Sequence, residues 1–207
     1  HKNKWLCTVE GLYVVKHDVN LLQSFLLGTD PSGFSNTIYS FAKEKNNLWL
    51  QLRHGLYKYN LAQQKMLPVA AYQNKMYNIL YNAGDSLLWL SAKNKIISIN
   101  CSNSSIVSST LLQGNPYFAI ADKQKHVWVG TWDDGLYELD EKGKVIKQYT
   151  DKNGLSYKYL ICGWYDGANE LWLGMNGGKG FAKLDLQTKK FESFFITTKN
   201  KPSSEFN

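Results

Sequence analysis

The sequence predicts an all-β chain, a β-propeller fragment built from four-stranded antiparallel blades. Three observations carry this. A tryptophan-centred apolar run recurs at Trp5, Trp49, Trp89, Trp128 and Trp172, in steps of 44, 40, 39 and 44 residues. After most copies come a short polar turn and a second, alternating segment. No stretch sustains the 3.6-residue period that a surface helix needs over eleven positions.

Each part of the repeat has a physical reading. Leu48-Trp49-Leu50 and Val127-Trp128-Val129 are continuous apolar runs, the pattern of a strand buried on both faces. Arg53-His54-Gly55 and Asp133-Asp134-Gly135 follow as turns, and the glycine supplies the positive φ that tight hairpin turns often require. Leu56–Tyr59 and Leu136–Leu139 alternate and stop at Asn60 and Asp140; the other copies stop at Asn100 and Asp185. These residue types favour turns. A more polar strand comes next, as in Lys144–Thr150 or Lys190–Ile196, and suits an exposed edge. Ahead of each of the last four tryptophan strands lies one more apolar segment: Ile38–Ala42, Tyr77–Tyr81, Tyr117–Ala121 and Tyr159–Trp164. A single unit of this kind cannot bury both faces, and packing against its neighbours solves the problem.

The whole chain, residues 1–207, reads as one propeller segment. The blades are expected at about 1–28 (partial), 36–70, 75–111, 116–150 and 157–196, with 197–207 leading into a further blade. That is four full blades plus three strands of another, since the first copy opens on its tryptophan strand. Propellers close with four to eight blades, so the expectation is part of a ring completed by strands outside this chain.

The repeat resembles that of the two-component regulator propellers. Their motif runs Gly-Leu-Ser, an apolar strand ending in Asp, Leu-Trp-Ile-Gly-Thr, then Gly-Leu. The best copy here is Asp122 followed by Val127-Trp128-Val129-Gly130-Thr131 and Gly135-Leu136-Tyr137, with Gly154-Leu155-Ser156 as the loop between blades. Gly33-Phe34-Ser35 is a second such loop, and Asp166 with Leu171-Trp172-Leu173-Gly174 a further copy. Departures are Lys95-Ile96 in place of Gly-Leu, Gln51 in place of the glycine, and an insertion at Asn176–Lys179. The resemblance implies the periplasmic, extracytoplasmic sensor region of a hybrid two-component histidine kinase, as in gut Bacteroidetes such as Bacteroides. It implies a non-catalytic ligand-sensing and dimerising role in signal transduction, a response to a polysaccharide breakdown product, a homodimer in the full-length receptor, and membrane tethering only through regions downstream. Two alternatives stand beside it. One is an enzyme with its site at the central channel, like the streptogramin lyases, for which His54 and Asp133 are the best acid–base pair on offer. The other is a protein-interaction scaffold.

Composition narrows the chemistry. Hydrophobic residues make up 43% and charged residues 20%, an ordinary globular balance. The net charge of +7 is spread over separate turns with no dense basic stripe, so nucleic-acid binding is not expected. No apolar run approaches the roughly 20 residues that span a bilayer, and His1–Tyr13 lacks the apolar core of a signal peptide, so the chain as given reads as soluble. Cys7, Cys101 and Cys162 form no disulfide pattern and are expected to be buried small hydrophobes. His1, His17, His54 and His126 have no metal-ligand spacing, and no metal or other cofactor is expected. Gly174–Gly180 lacks the Ser or Thr that a phosphate loop places after its Gly-Lys, and Asp166–Glu170 lacks the alternating acids of a calcium loop. The glycosylation sequons at Asn100 and Asn103 carry no meaning in a bacterial protein.

No catalytic residues are predicted. In a propeller the turn after the tryptophan strand and the loop linking blades open on one face. The candidate ligand residues are therefore Arg53, His54, Lys93, Asn94, Trp132, Asp133, Asn176, Lys179 and Tyr157, with Asn36, Tyr72, Asn74, Asn115, Tyr117 and Lys158 from linking loops. Trp132 stands out because it lies outside the repeated position, in a turn that otherwise favours polar residues. Trp5, Trp49, Trp89, Trp128 and Trp172 are read as structural anchors, because five equivalent positions cannot form one site.

Overall fold

Runs of β-branched, aromatic and leucine side chains, punctuated every few residues by Asn, Asp and Gly, favour short strands and tight turns over helices. A computed structural model shows this arrangement and describes residues 4–8, 11–16, 21–25, 37–74, 78–83 and 87–195; segments 4–8, 11–16, 21–25 and 78–83 are described through their backbone. The described residues form nineteen strands and a single 3-10 turn, Asp151–Asn153. No helix among them is long and apolar enough to cross a membrane. The chain divides into two units, residues 1–112 and 113–207.

In the first unit β1 (Lys4–Thr8), β2 (Gly11–Lys16) and β3 (Leu21–Phe25) form a three-stranded sheet. Strands β4 (Ile38–Glu44), β5 (Asn47–Leu52), β6 (Gly55–Asn60) and β7 (Lys65–Gln73) form a four-stranded one. A third contains β8 (Asn78–Ala83), β9 (Leu87–Ala92), β10 (Lys95–Asn100) and β11 (Ile106–Leu111). The second unit holds β12 (Pro116–Ala121), β13 (Val127–Thr131), β14 (Leu136–Leu139) and β15 (Val145–Tyr149), then β16 (Leu160–Tyr165), β17 (Glu170–Met175), β18 (Phe181–Asp185) and β19 (Phe191–Phe194). All neighbours are antiparallel and in sequence order. Within each unit successive sheets meet through their first strands, β4 with β8 and β12 with β16. Residues 197–207, expected to lead into a further blade, lie outside the described residues.

The tryptophan strand is the buried one. Every residue of β13 is buried, as are Leu48, Trp49 and Leu50 of β5. Trp49 and Trp128 extend beyond their own sheets. Trp49 packs with Leu88, Leu90, Ile97 and Ile99 of the next sheet, and Trp128 with Leu171, Leu173, Ala182 and Leu184. Trp89 is buried as well. Trp172 is half-buried, its ring stacked against Phe181 and Phe194; no sheet following its own is among the described residues. Trp5 sits opposite Val14 in the β1–β2 register, and its side chain lies outside the described residues.

Polar contacts lock the seat of Trp128. Its indole N–H donates to Asp122 Oδ2 at 2.9 Å. The residue opposite it on β14 is Glu138, which is buried and accepts from the Tyr149 hydroxyl at 2.8 Å and the Lys189 ammonium at 2.6 Å. Lys189 comes from the following sheet's last turn and lies 4.4 Å from the Trp128 ring centroid. Burial, then the Glu138 carboxylate, hold the Tyr149 hydroxyl in its protonated form well above the usual phenol range.

The motif glycines have steric reasons. A Cβ on Gly130 would come 2.1 Å from the Phe118 ring, and one on Gly163 would come 2.3 Å from the same ring. Phe118 thus fits between two sheets only because both glycines lack side chains. In the inter-blade loop, Gly154 takes φ +108° after the 3-10 turn, and Leu155 is fully buried in the core between the two sheets.

Three expectations are corrected here. Tyr72 is no linking-loop residue: β7 runs on to Gln73, and Tyr72 is buried with its hydroxyl donating to Ser104 O at 2.9 Å. An aromatic that can satisfy its hydroxyl on a backbone carbonyl is readily accommodated in a core. Cys162 is exposed rather than buried, because β16 alternates and turns this position outward. Cys101 is buried as expected, and burial pushes its thiol up to about 11. The side chain of Cys7 lies outside the described residues. The outer strands β7 and β11 are less polar than an exposed edge suggests: Leu67, Ile106, Val107 and Leu111 are exposed.

Glu138→Ala is expected to lower the unfolding free energy by about 3 kcal/mol, because it strands Lys189 and Tyr149 without their acceptor. Gly130→Ala is expected to cost about 2 kcal/mol through overpacking against Phe118. Urea titration followed by far-UV circular dichroism measures both, and wild-type midpoints would refute the two assignments. With iodoacetamide at pH 8, Cys162 should alkylate in the folded protein and Cys101 only after denaturation, as read by peptide mass mapping.

Candidate functional site

The repeat places its variable residues in the turn after the tryptophan strand. In the first sheet of the second unit that turn is built by the motif itself. Thr131 Oγ1 donates to Gly135 O at 2.8 Å and accepts from Asp134 N at 2.9 Å. Gly135 has φ +83°, and a Cβ there would meet Tyr149 O at 2.2 Å. Threonine and glycine therefore close the turn and leave Trp132 and Asp133 at its apex.

Two incoming segments are tied to these turns through the backbone. Trp132 N donates to Asn115 O at 2.9 Å, and Asn176 N donates to Tyr159 O at 3.0 Å, the same bond one sheet later. Gly135 N donates to Lys158 O at 3.0 Å. The dipeptide Lys158-Tyr159 is thus held by a turn from each of two sheets. Asp133 Oδ1 accepts from Asn115 N at 3.0 Å and fixes the other incoming segment.

The side chains on this frame form a line of rings. Tyr117 and Trp132 have centroids 5.5 Å apart, tilted by 37°. Trp132 meets Tyr159 edge-on at 6.5 Å, and Tyr159 lies 5.2 Å from Tyr157. Tyr117 and Trp132 are 50% and 38% exposed, values that leave ring faces open to a ligand. Lys158 Nζ lies 5.3 Å from the Tyr159 centroid and Lys179 Nζ 5.8 Å from that of Tyr157, within cation–π range. Asp134 points away along the sheet: its carboxylate accepts from Gln148 Nε2 at 2.9 Å and from the Tyr137 hydroxyl. Burial and that bond hold Tyr137 protonated well above the usual phenol range.

Of the sequence-predicted residues, Trp132, Asp133, Tyr157, Asn176 and Lys179 come together in this cluster, with Asn115 and Lys158 from the linking loops and Tyr117, expected in a linking loop, from the start of β12. Arg53 and His54 sit exposed on the β5–β6 turn of the first unit, where His54 O accepts from Asn74 N at 2.7 Å. Lys93 and Asn94 form the β9–β10 turn, with Lys93 at φ +52° and Asn94 O accepting from Leu112 N. Asn36 lies outside the described residues. Sequence reading missed Tyr159, assigned there to the strand. The signal was available in the Tyr157-Lys158-Tyr159 alternation, which puts both tyrosines on one side of an extended segment.

A second constellation, also unforeseen, joins a histidine to two carboxylates. His126 Nδ1 lies 3.2 Å from Glu138 Oε1 and 3.6 Å from Asp122 Oδ2. It stands at the opposite end of β13 from Trp132, about 20 Å along an extended strand, and both acids already serve the Trp128 seat. In the first unit a cleft of about 700 Å³ runs beside β7, bordered by Lys58, Lys65, Pro68, Ala71 and Asn103. It contains none of the predicted ligand residues.

No family model and no curated protein matches the chain. Solved structures do. The extracellular domain of a one component system from B. thetaiotaomicron superimposes with a TM-score of 0.67 and 22% identity, over 87% of this chain and 26% of that one. The extracellular domain of a hybrid two component system from B. thetaiotaomicron gives 0.57 and 16%, over 77% and 25%. Virginiamycin B lyase from Staphylococcus aureus gives 0.72 and 12%, over 95% and 67%. The chain spans about a quarter of the length of the two extracellular domains. It is a run of β-propeller blades, sharing its fold with the extracellular domains of bacterial regulatory systems and with a lyase.

Proposed function

We propose that this chain is a non-catalytic, ligand-sensing stretch of propeller from the periplasmic region of a hybrid two-component sensor kinase. Its ligand is a breakdown product of a polysaccharide, bound on the aromatic line of Tyr117, Trp132, Tyr159 and Tyr157. The parent receptor works as a homodimer, tethered to the membrane through regions beyond this stretch.

One observation carries the reading. Trp132 is exposed at the apex of a turn whose backbone is bonded to both incoming segments, through Trp132 N to Asn115 O and Gly135 N to Lys158 O, while the repeated tryptophans Trp49, Trp89 and Trp128 are buried. A large ring kept in solvent on a rigid turn is suited to lie against the apolar face of a sugar, with Asn115 and Asn176 near enough to serve hydroxyls. Preorganisation of this kind lowers the entropy cost of binding. The shared fold with sensor ectodomains supports the setting. The lyase reading draws less support: the acids beside His126 are engaged by Trp128, Tyr149 and Lys189.

Calorimetric titration of the whole chain with oligosaccharides cut from a panel of plant and host polysaccharides tests the proposal. At least one should bind, and Trp132→Ala should weaken it about tenfold, a loss of about 1.4 kcal/mol, with the melting curve unchanged. Binding that ignores this substitution would place the site elsewhere. A panel with no binder would remove the saccharide reading.

A further inference from the structure

The aromatic line has two chemically different ends. At the Trp132 end, Asp133 is bound to Asn115 through the backbone amide at 3.0 Å and the side-chain amide at 3.5 Å. Asp134 is turned toward Tyr137 and Gln148. Both carboxylates therefore face the incoming segment and the sheet. At the Tyr157–Tyr159 end two ammonium groups lie over the rings: Lys158 over that of Tyr159 and Lys179 over that of Tyr157. Both lysines are exposed, and neither has an ion-pair partner among the described residues. Elsewhere in the same unit Lys183 and Lys189 are paired with Glu170, Glu192 and Glu138.

These two cations are also positioned by the backbone. Lys158 O and Tyr159 O each accept an amide from a different turn. Lys179 sits in the inserted loop, where Gly177, Gly178 and Gly180 take φ +68°, +67° and +84°. A Cβ on Gly177 would lie 3.8 Å from the Tyr157 hydroxyl, so the loop bends close over that ring. The insertion thus brings a second ammonium to the tyrosine pair. A ring face attracts a cation without neutralising it, and its charge stays available to a ligand anion.

Resting on the saccharide reading above, we infer that the site takes an acidic saccharide. Its carboxylate or sulfate ester lies between Lys158 and Lys179 at the Tyr157–Tyr159 end, and a neighbouring sugar stacks on Trp132 and Tyr117. The arrangement gives the ligand a direction, because an acidic group placed at the opposite end would meet Asp133. Partly exposed charge pairs of this sort contribute modestly one at a time and more as a convergent pair.

The test compares tri-galacturonate, its fully methyl-esterified form, a chondroitin sulfate tetrasaccharide and inorganic sulfate on the whole chain, by calorimetry and tryptophan fluorescence. At least one acidic saccharide should bind about tenfold more tightly than the neutral ester. Which of the two prevails separates carboxylate from sulfate. The Lys158→Met/Lys179→Met double variant, both positions being exposed, should fold normally and lose that preference. Raising salt from 50 to 500 mM should weaken the acidic ligand and leave the ester unchanged. Equal affinity for acid and ester, untouched by the double variant, overturns the inference and leaves the saccharide reading standing. Inorganic sulfate binding as tightly as the oligosaccharides overturns it as well, since the site would then be a simple anion site. If no saccharide, charged or neutral, perturbs Trp132, both readings fall together.

Discussion

The structure depends on one recurring insertion, the tryptophan of one sheet driven into the apolar face of the next. A propeller blade has two faces to cover. A strand such as Val127–Thr131, buried along its whole length, stabilises the fold only if a neighbour closes over it. Trp128 supplies the area and Leu171, Leu173, Ala182 and Leu184 supply the wall. The indole N–H cannot be left unpaired in such a place without a cost of about 1–3 kcal/mol, and Asp122 meets it.

The same seat is solved differently in different sheets, which shows where the constraint lies. The residue across from the tryptophan is Lys58, Ser98, Glu138 or Lys183. Lys58 lies 4.9 Å from the Trp49 centroid and donates to Cys101 O of the next sheet at 2.9 Å. Glu138 reaches the next sheet too, with the donor and acceptor roles reversed, by accepting from Lys189. These two arrangements, at Trp49 and Trp128, each set a cation over the indole and a polar bond across the sheet boundary. The Trp49 N–H has no hydrogen-bond partner among the described residues, so its seat rests on packing and on Lys58. The fixed requirement is a large flat side chain, and the residue that covers it is free to vary, from Lys58 and Glu138 to the uncharged Ser98.

This division explains how much of the molecule could be read beforehand. The strands, their order and the four-strand unit followed from Trp, Gly and Asp at regular spacing, because each of those residues answers a backbone or packing demand that recurs in every blade. Gly154 and Leu155 illustrate it: one takes a positive φ and the other plugs a core. Long-range pairings had no such signal. Nothing near Glu138 in sequence announces Lys189, 51 residues on. Nor does the sequence distinguish Tyr72, whose hydroxyl finds a buried carbonyl, from Tyr117, which stays in solvent. Cys162 went astray because an alternating strand has two faces, and a cysteine suits either. At the site, Trp132 was legible as a ring in the wrong place. Tyr159 was not, because its carbonyl is bound by the next sheet's turn while its ring completes the line.

The rigidity of the seat is what allows the loops to specialise. Thr131 and Gly135 close a turn whose geometry does not depend on the two residues at its apex. Trp132 and Asp133 could therefore change without disturbing β13 and β14. The insertion Asn176–Lys179 lengthens the equivalent turn one sheet later, yet Asn176 N still bonds Tyr159 O as Trp132 N bonds Asn115 O. The backbone frame is conserved between the two sheets while the side chains on it differ in size and charge. Recognition built this way costs little stability, since few of the ring-line side chains serve the core. On the saccharide reading proposed above, its specificity lies in which rings and which ammonium groups a given pair of turns presents. A ligand-binding surface can thus be altered on one blade without loosening the tryptophan seat that holds its strands together.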